Sequence, residues 1–483
     1  MNQEITSEQI KEEVRKHAEK AKFASPSLSH DKVLSVLLNK INKVDFRQEV
    51  DSDKKLKRKH FVVTVVDKVL AMANNQNFGL CKRNDFIYLY NGSFWKQLEK
   101  DPLKLFLGKA ALKMGVDRFD SNYHHFRDDL VNQFMSVAYL PAPEFPDDVV
   151  LVNLKNGTVE VHPEKEDMIR IRRPRQEDFL TYQLPFAYKP MTKAPKFKKY
   201  LNRVLPNKNL QQILAEYIGY VFVRSSYLKL EKTLLLYGTG GNGKSVFFDI
   251  VNALLGEKNI TNFNLRSLTD QKGYERALIG DALLNYSSEI DGKVDAALFK
   301  QMVSGEPLQA RLPYKNPITL TNYAKLLFNC NELPTEVENT DAFFRRFLII
   351  PFEQTIPVEE QDKELAKKII DTELSGVFNW VLDGLERILK QKNFTKSSKV
   401  EEQVRQYRKD SDSVLSFIDE YDYSKDITQY VPLKELYQKY GRYCQNNGNY
   451  PCNYRNFSKR LRSSKIKVDR KASGMVVYLS QNK

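Results

Sequence analysis

The pattern of apolar and polar positions in FVVTVVDKVLAMAN (residues 61–74) reads as helix-like, and that of Lys196–Ser225 places apolar residues at three- and four-residue spacing. After the first of these the pattern switches to short strand-like runs in FIYLYNGSFWKQL, and Asn91-Gly92-Ser93 between them predicts a hairpin turn, because Asn-Gly tolerates positive φ. A second hairpin is predicted in LVNLKNGTVEVH, where Asn156-Gly157 separates two alternating runs. Lys196–Ser225 reads as helix-rich, and the segment from Thr233 to about Phe352 alternates strand-like with helix-like pieces, as in an α/β core. From Val358 to Lys409 the pattern is mainly helical, with KQKNFTKSSKVEE as a linker. The last seventy or so residues predict three helices and then two strands around RKASG. Residues 1 to about 60 read as helical and highly charged, and no internal repeat interrupts the sequence.

Composition narrows the picture. A chain of 483 residues exceeds one core and predicts roughly two to four domains. Hydrophobic content of 41% and a mean hydropathy of -0.52 are those of an ordinary globular chain. The apolar stretch FVVTVVDKVLAMA is broken by Asp67 and Lys68 and is shorter than the roughly 18 residues a bilayer requires. With no charged-then-apolar pattern at the N-terminus, the expectation is a cytoplasmic protein without a membrane partner. Cys81, Cys330, Cys444 and Cys452 are scattered with no C-x-x-C pair, which argues against a zinc ribbon or a disulfide framework. The net charge of +15 and a pI near 9.2 favour a polyanionic partner or a generally lysine-rich surface. The basic run Asp51–His60 reads as a solvated face or linker.

Chemistry concentrates after TLLLY. Gly238, Thr239, Gly240, Gly241, Asn242, Gly243, Lys244 and Ser245 fit G-x-x-x-x-G-K-[ST] in full, followed by Val246 and a helical pattern ending at Gly256. Glycines let backbone N–H groups turn towards phosphates, a lysine ammonium neutralises their charge, and a serine hydroxyl ligates Mg²⁺. The following helix points its positive end at the same place. ATP and Mg²⁺ are the expected ligands. Downstream, ALLNYSSE ends at Glu289, a carboxylate able to polarise water, with Ser288 where an aspartate is usual. AKLLFNCNELP carries Asn331 at its tip, as a γ-phosphate sensor or a turn-forming residue. Arg345 and Arg346 precede another buried run, as stabilisers of transition-state charge or a surface ion-pair group.

As an ordered set, GTGGNGKS, ALLNYSSE, MVSGEPLQARLPYKNPITLTNYAKLLFNCNELP and AFFRRFLIIPFE resemble motifs A, B, B′ and C and the arginine-finger region of superfamily 3 helicases. The nearest match is the phage/plasmid primase-helicase branch, related to the poxvirus primase-helicase, and it covers about Leu151 to Phe352. The resemblance implies a hexameric ring that hydrolyses ATP between subunits and moves along single-stranded DNA. In it Lys244 and Ser245 serve phosphate and Mg²⁺, Glu289 is the catalytic carboxylate and Asn331 the sensor. Arg345 or Arg346 reaches a neighbour's ATP, and ARLPYKNPITLTN is a DNA-contacting hairpin with Arg311, Tyr314 and Lys315.

The C-terminal order of elements suits a winged helix, whose third helix enters the major groove. Arg455, Lys459, Arg460 and Arg462 lie on or beside that helix, and Lys465, Lys467, Arg470 and Lys471 on the wing, with Asp469 the one acid among them. Such a cluster binds phosphate backbone with little sequence information, or forms a basic face of a protein-interaction module.

The expected fold is a multidomain α/β chain: a P-loop, AAA+-like ATPase core, an N-terminal α+β and helical region, and a C-terminal winged helix. The expected division is 1–95 (charged, helix-rich), 96–192 (pre-helicase α+β module), 193–356 (ATPase core with its preceding helices), 357–410 (helical lid and linker) and 411–483 (winged helix). The expected function is that of an ATP-driven replicative helicase of a phage, plasmid or other mobile element, acting on single-stranded and forked DNA. The alternatives are an ATP-switched initiator that melts an origin without processive unwinding, and a nucleotide-binding DNA binder without turnover. Residues before Leu151 show no metal-binding acidic constellation, so primase activity is not expected, and a separate primase or initiation partner is an open conjecture.

Overall fold

The computed structural model describes residues 28–50, 55–83, 86–140, 149–165, 168–288, 290, 294–334, 338, 340–447 and 450–481. Expectations for residues 1–27, for the start of the basic run and for Glu289 lie outside these residues.

The first unit contains helices α1 (His30–Lys40), α2 (Arg58–Asn75), α3 (Lys100–Met114) and α4 (His124–Val137) around an antiparallel meander β1 (Gly79–Arg83), β2 (Phe86–Tyr90) and β3 (Trp95–Leu98). Val65, Val66 and Val69 of α2 bury against Leu103 and Leu107 of α3 and Leu130 and Phe134 of α4. These positions form one buried stripe of the helix. The β2–β3 turn is the Asn-Gly turn: Gly92 has φ +90°, and Asn91 Oδ1 accepts the Ser93 and Phe94 N–H groups, each at 3.0 Å. Because Tyr90 pairs with Trp95 across this hairpin, the expected 95/96 division falls inside β3.

A second meander, β4 (Val150–Leu154), β5 (Gly157–Val161) and β6 (Ile169–Arg172), follows, with Leu154 opposite Gly157 at the second Asn-Gly turn. Its buried Val152, Val159 and Val161 share one core with α5 (Pro195–Val204), α6 (Lys208–Tyr220) and one face of the central sheet.

The central sheet is built from β7 (Thr233–Tyr237), then helix α7 (Lys244–Leu255), β8 (Ile260–Thr261) and β9 (Leu284–Ser287). A hairpin of β10 (Leu308–Arg311) and β11 (Pro317–Leu320) precedes β12 (Lys325–Cys330) and β13 (Phe347–Pro351). The five strands run parallel in the order β13-β7-β12-β9-β8. Parallel strands covered on both faces read as continuous apolar runs, which is why TLLLY and FLIIP lack alternation. Leu234 and Leu236 face α6 and α7, whereas Leu235 and Ile349 face Phe299, Phe328 and Phe343. Helix α8 (Leu365–Gln391) crosses α6, and α9 (Ser398–Asp410) lies beside β13, its Tyr407 ring 5.7 Å from Phe347.

Lys325 opens β12 largely buried, its Nζ donating to Ser225 Oγ at 2.8 Å and lying 4.5 Å from the Tyr220 ring. Burial lowers its pKa from 10.5 to about 8. Between those values the unfolded chain binds more protons than the native one, so native stability rises with pH through that window. Lys325→Met is therefore expected to be the more stable protein at pH 7, by about 1–2 kcal/mol, with the gain closing towards pH 10. Urea midpoints at both pH values test this, and an equal difference at the two would overturn it.

The last unit packs α10 (Ser413–Glu420), α11 (Leu433–Asn446) and α12 (Tyr454–Ser463) over two small antiparallel sheets. The strands are β14 (Tyr423–Lys425), β15 (Val431–Pro432), β16 (Val468–Lys471), β17 (Gly474–Val477) and β18 (Leu479–Gln481); β15, β17 and β16 form one sheet, and β14 pairs with β18. The three helices and the β16–β17 hairpin match the expectation. Strand β15, two residues long, is too short to leave a periodic signal.

Candidate functional site

The glycine-rich segment joins the C-terminal end of β7 to the N-terminus of α7. Gly240, Gly241 and Gly243 all have positive φ, at +108°, +60° and +88°. At Gly243 the left-handed backbone coincides with close packing, since a Cβ there would lie 2.7 Å from Val204 Cγ1. Gly238 is required for space alone, as a Cβ would meet the Asn242 amide nitrogen at 2.1 Å and Phe352 O at 2.6 Å. The loop is tied from outside: Tyr200 OH donates to Gly243 O at 2.8 Å, Asn242 Nδ2 to Phe352 O at 3.1 Å, and Ile356 N to Gly241 O at 2.9 Å. Tyr200, 43 residues upstream, escaped sequence reasoning because nothing local marks it.

Lys244 is the electrostatic centre of this loop. Its side chain is buried, and Nζ donates to Gly238 O at 2.5 Å and Asn242 Oδ1 at 3.2 Å, both neutral acceptors. Burial holds the ammonium below the ordinary lysine value. No carboxylate among the described residues pairs with it. A buried cation without a counter-ion, at the positive end of a helix and beside inward-turned glycines, fits an anionic group such as a triphosphate. Ser245 is exposed at the start of the same helix. Among the described residues no cluster of His, Cys, Asp or Glu forms a metal centre of its own.

Ser288 and Asn331 are exposed just beyond β9 and β12, at the same edge of the sheet as the loop. Asn329, which sequence reasoning passed over, is buried inside β12 and accepts the Tyr286 hydroxyl at 3.0 Å.

The two arginines sit elsewhere. They precede β13, whose first residue pairs with the first residue of β7, so they lie at the N-terminal edge of the sheet. The loop occupies the C-terminal edge, a strand of five residues or roughly 16 Å away. Their side chains also part company. Arg346 is turned inward, 9% exposed, bonding Ser304 Oγ at 2.9 Å, Ala342 O, and Glu231 Oε2 at 3.4 Å. Arg345 is 63% exposed, with Glu231 Oε2 at 3.1 Å. Arg346→Ala should cost about 1–3 kcal/mol by stranding buried acceptors, whereas Arg345→Ala should change stability by under about 0.5 kcal/mol. Denaturant midpoints of the two variants check this; equal losses would contradict it.

Residues Arg311–Pro317 close the β10–β11 hairpin. Tyr314 is fully exposed at its tip with φ +58°, and Arg311 and Lys315 are exposed beside it. In the C-terminal unit Arg455, Lys459, Arg462, Lys465 and Arg470 are exposed. Three other predicted cations carry local contacts. Arg460 turns a guanidinium N–H to buried Asp412 at 3.4 Å, Lys467 lies 4.6 Å from the Tyr478 ring, and Lys471 lies 3.7 Å from the Tyr430 ring.

Comparison with known proteins gives three segment matches. Residues 67–206 match the D5 N terminal like family, 236–346 a family of unknown function (DUF5906), and 409–479 the poxvirus D5 protein-like family. A protein of Acanthamoeba polyphaga mimivirus named provisionally as a helicase, L207/L206, is 22% identical over 68% of this chain and 36% of its own length. Similarly named proteins of Invertebrate iridescent virus 3 (121R) and 6 (184R) are 24% and 22% identical over 60% of this chain and 34% of their own. The chain thus spans about a third of the length of these relatives. Among solved structures, the NrS-1 C-terminal region aligns over 86% of this chain and 98% of its own, with 14% identity and a TM-score of 0.49.

Proposed function

Since this chain is related to the D5-type viral primase-helicases, we propose that it is a superfamily 3 replicative DNA helicase of a phage, plasmid or other mobile element, working as an ATP-driven hexameric ring in the cytoplasm of the host. The observation that carries this reading is the placement of the glycine-rich loop and Arg345 at opposite edges of one parallel sheet. One copy cannot bring the two together; a ring of head-to-tail copies can.

In this reading the loop from Gly238 to Val246 holds the triphosphate, Lys244 neutralises it, and Ser245 takes Mg²⁺, which withdraws charge from the phosphate oxygens when bound. Glu289 activates the attacking water, and Asn331 orients the terminal phosphate from the end of β12. Arg345, rather than Arg346, reaches the neighbouring site, because only its guanidinium is exposed. The five parallel strands are read as an AAA+-like core, and the division at 193–356, 357–410 and 411–483 is kept as part of the proposal. The hairpin residues Arg311, Tyr314 and Lys315 line the channel and grip single-stranded DNA by backbone charge and stacking. The C-terminal winged helix presents Arg455, Lys459 and Arg462 to duplex DNA, with Lys465 and Arg470 on the wing.

A forked duplex with a labelled strand tests the whole reading. ATP-dependent strand displacement is expected, together with ATP hydrolysis stimulated by single-stranded DNA. Stimulated hydrolysis without displacement would replace it with the origin-melting initiator, a reading the basic α12 face also suits. No hydrolysis despite nucleotide binding would reduce the protein to a nucleotide-switched DNA binder.

A further inference from the structure

At the N-terminal edge of the central sheet the surface opens into a groove of about 450 Å³ between the start of β13 and helix α9. Four cations line it, Lys232, Arg345, Lys396 and Arg405, against one carboxylate, Glu401. They come from four places in the chain: the residue before β7, the residue before Arg346, the turn joining α8 to α9, and α9 itself. Lys232 is fixed from below, its Nζ donating to Arg345 O, and burial together with the two arginines holds it under the ordinary lysine value. Arg345, Lys396 and Arg405 are exposed, and neither Lys396 nor Arg405 has an ion-pair partner among the described residues. Phe344, Phe347 and Phe394 form part of its apolar lining.

We propose that this groove receives the phosphate end of a nucleotide bound to the glycine-rich loop of a second copy of the chain, and that Lys396 and Arg405 contact those phosphates beside Arg345. The inference rests on the reading of Gly238–Val246 as the nucleotide loop. Charge selects the occupant: Lys232, Arg345, Lys396 and Arg405 outnumber the two acids beside them, Glu401 in the lining and Glu231 paired with Arg345 at 3.1 Å, and such an excess repels a basic surface and attracts a compact polyanion. Geometry selects its source. The loop of the same chain lies at the other edge of the sheet, roughly 16 Å away along β7, with the sheet between, so the anion must be brought by another copy. The receiving site then draws on α9 and its preceding turn, which couples α9 to occupancy of the neighbour's loop.

Subunit mixing tests this with the full-length protein. Three variants are needed: Lys244→Ala, Arg345→Ala, and the double variant Lys396→Ala/Arg405→Ala. Both groove variants should lose ATP turnover by about tenfold or more while keeping the wild-type melting temperature, since the residues changed are exposed. Mixed with Lys244→Ala, the double variant should recover about a quarter of wild-type turnover, the share of junctions that join an intact loop to an intact groove on random assembly. Addition of a non-hydrolysable ATP analogue should drive wild-type protein to larger assemblies in sedimentation, and the double variant should respond only at several-fold higher analogue concentration. If the double variant turns over normally while Arg345→Ala does not, the groove proposal fails and the trans-arginine reading stands. If the double variant is inactive but mixing restores nothing, its residues act within one copy and the proposal also fails. If it loses single-stranded DNA binding but keeps DNA-independent turnover, the groove is a nucleic-acid surface instead. Normal turnover by Arg345→Ala as well would remove the ring-ATPase reading itself.

Discussion

Lys244→Ala is expected to lower ATP turnover by a factor on the order of 100 or more, with and without single-stranded DNA, while leaving the melting temperature equal to or above wild type. The two halves of that result have one cause. In the native chain the ammonium is buried against Gly238 O and Asn242 Oδ1, and no carboxylate among the described residues offsets its desolvation. Such a side chain does not stabilise the fold; in the proposed reading it keeps a charge ready for a phosphate. Alanine removes the unfavourable burial together with the ready charge. Parallel measurements of phosphate release and thermal unfolding decide the matter. Turnover within threefold of wild type would mean that the loop does not handle a triphosphate, and a large loss of stability would mean that Lys244 is structural.

The second large effect is on stability. Helices α6 and α8 cross with glycine on each side. A Cβ on Gly384 would lie 2.3 Å from Ala215 C and 2.4 Å from Ala215 O, and one on Gly219 would lie 2.7 Å from Leu385 N. These neighbours are backbone atoms, so no rotamer change relieves the overlap. Gly384→Ala is therefore expected to cost about 3 kcal/mol, seen as a lower urea midpoint for the central unit. The displacement would be felt at the sheet, because Tyr217 OH of α6 donates to Leu326 O of β12 at 2.5 Å. It would also strain the buried carboxylate Glu216, which accepts the Thr395 N–H at 2.8 Å and the Thr395 hydroxyl at 2.5 Å. A midpoint indistinguishable from wild type would show that the helices can separate freely.

What could be read in the sequence alone is what depends on near neighbours. The Asn-Gly turns at 91–92 and 156–157 rest on local φ preferences, and the helix-like pattern of α2 on a period of 3.6 residues. The glycines and lysine of the loop stand together because one short segment must both turn and cap a helix. The basic helix α12 was legible for the same reason, whereas the hairpin carrying Tyr314 was named only through the family resemblance. Tertiary structure decided everything that turns on which side chain meets which across the chain. Arg345 and Arg346 are adjacent and chemically identical, yet packing buries the second against Ser304 and leaves the first in solvent. Arg460 looks like its neighbours on α12 until Asp412 of a distant segment claims one of its N–H groups. Tyr200 joins the loop only because α5 is laid against it, and Lys396 and Arg405 meet Arg345 only because α9 is laid along β13. Periodicity and turn chemistry are set within a few residues, whereas burial and ion pairing depend on contacts between distant segments that no local pattern records.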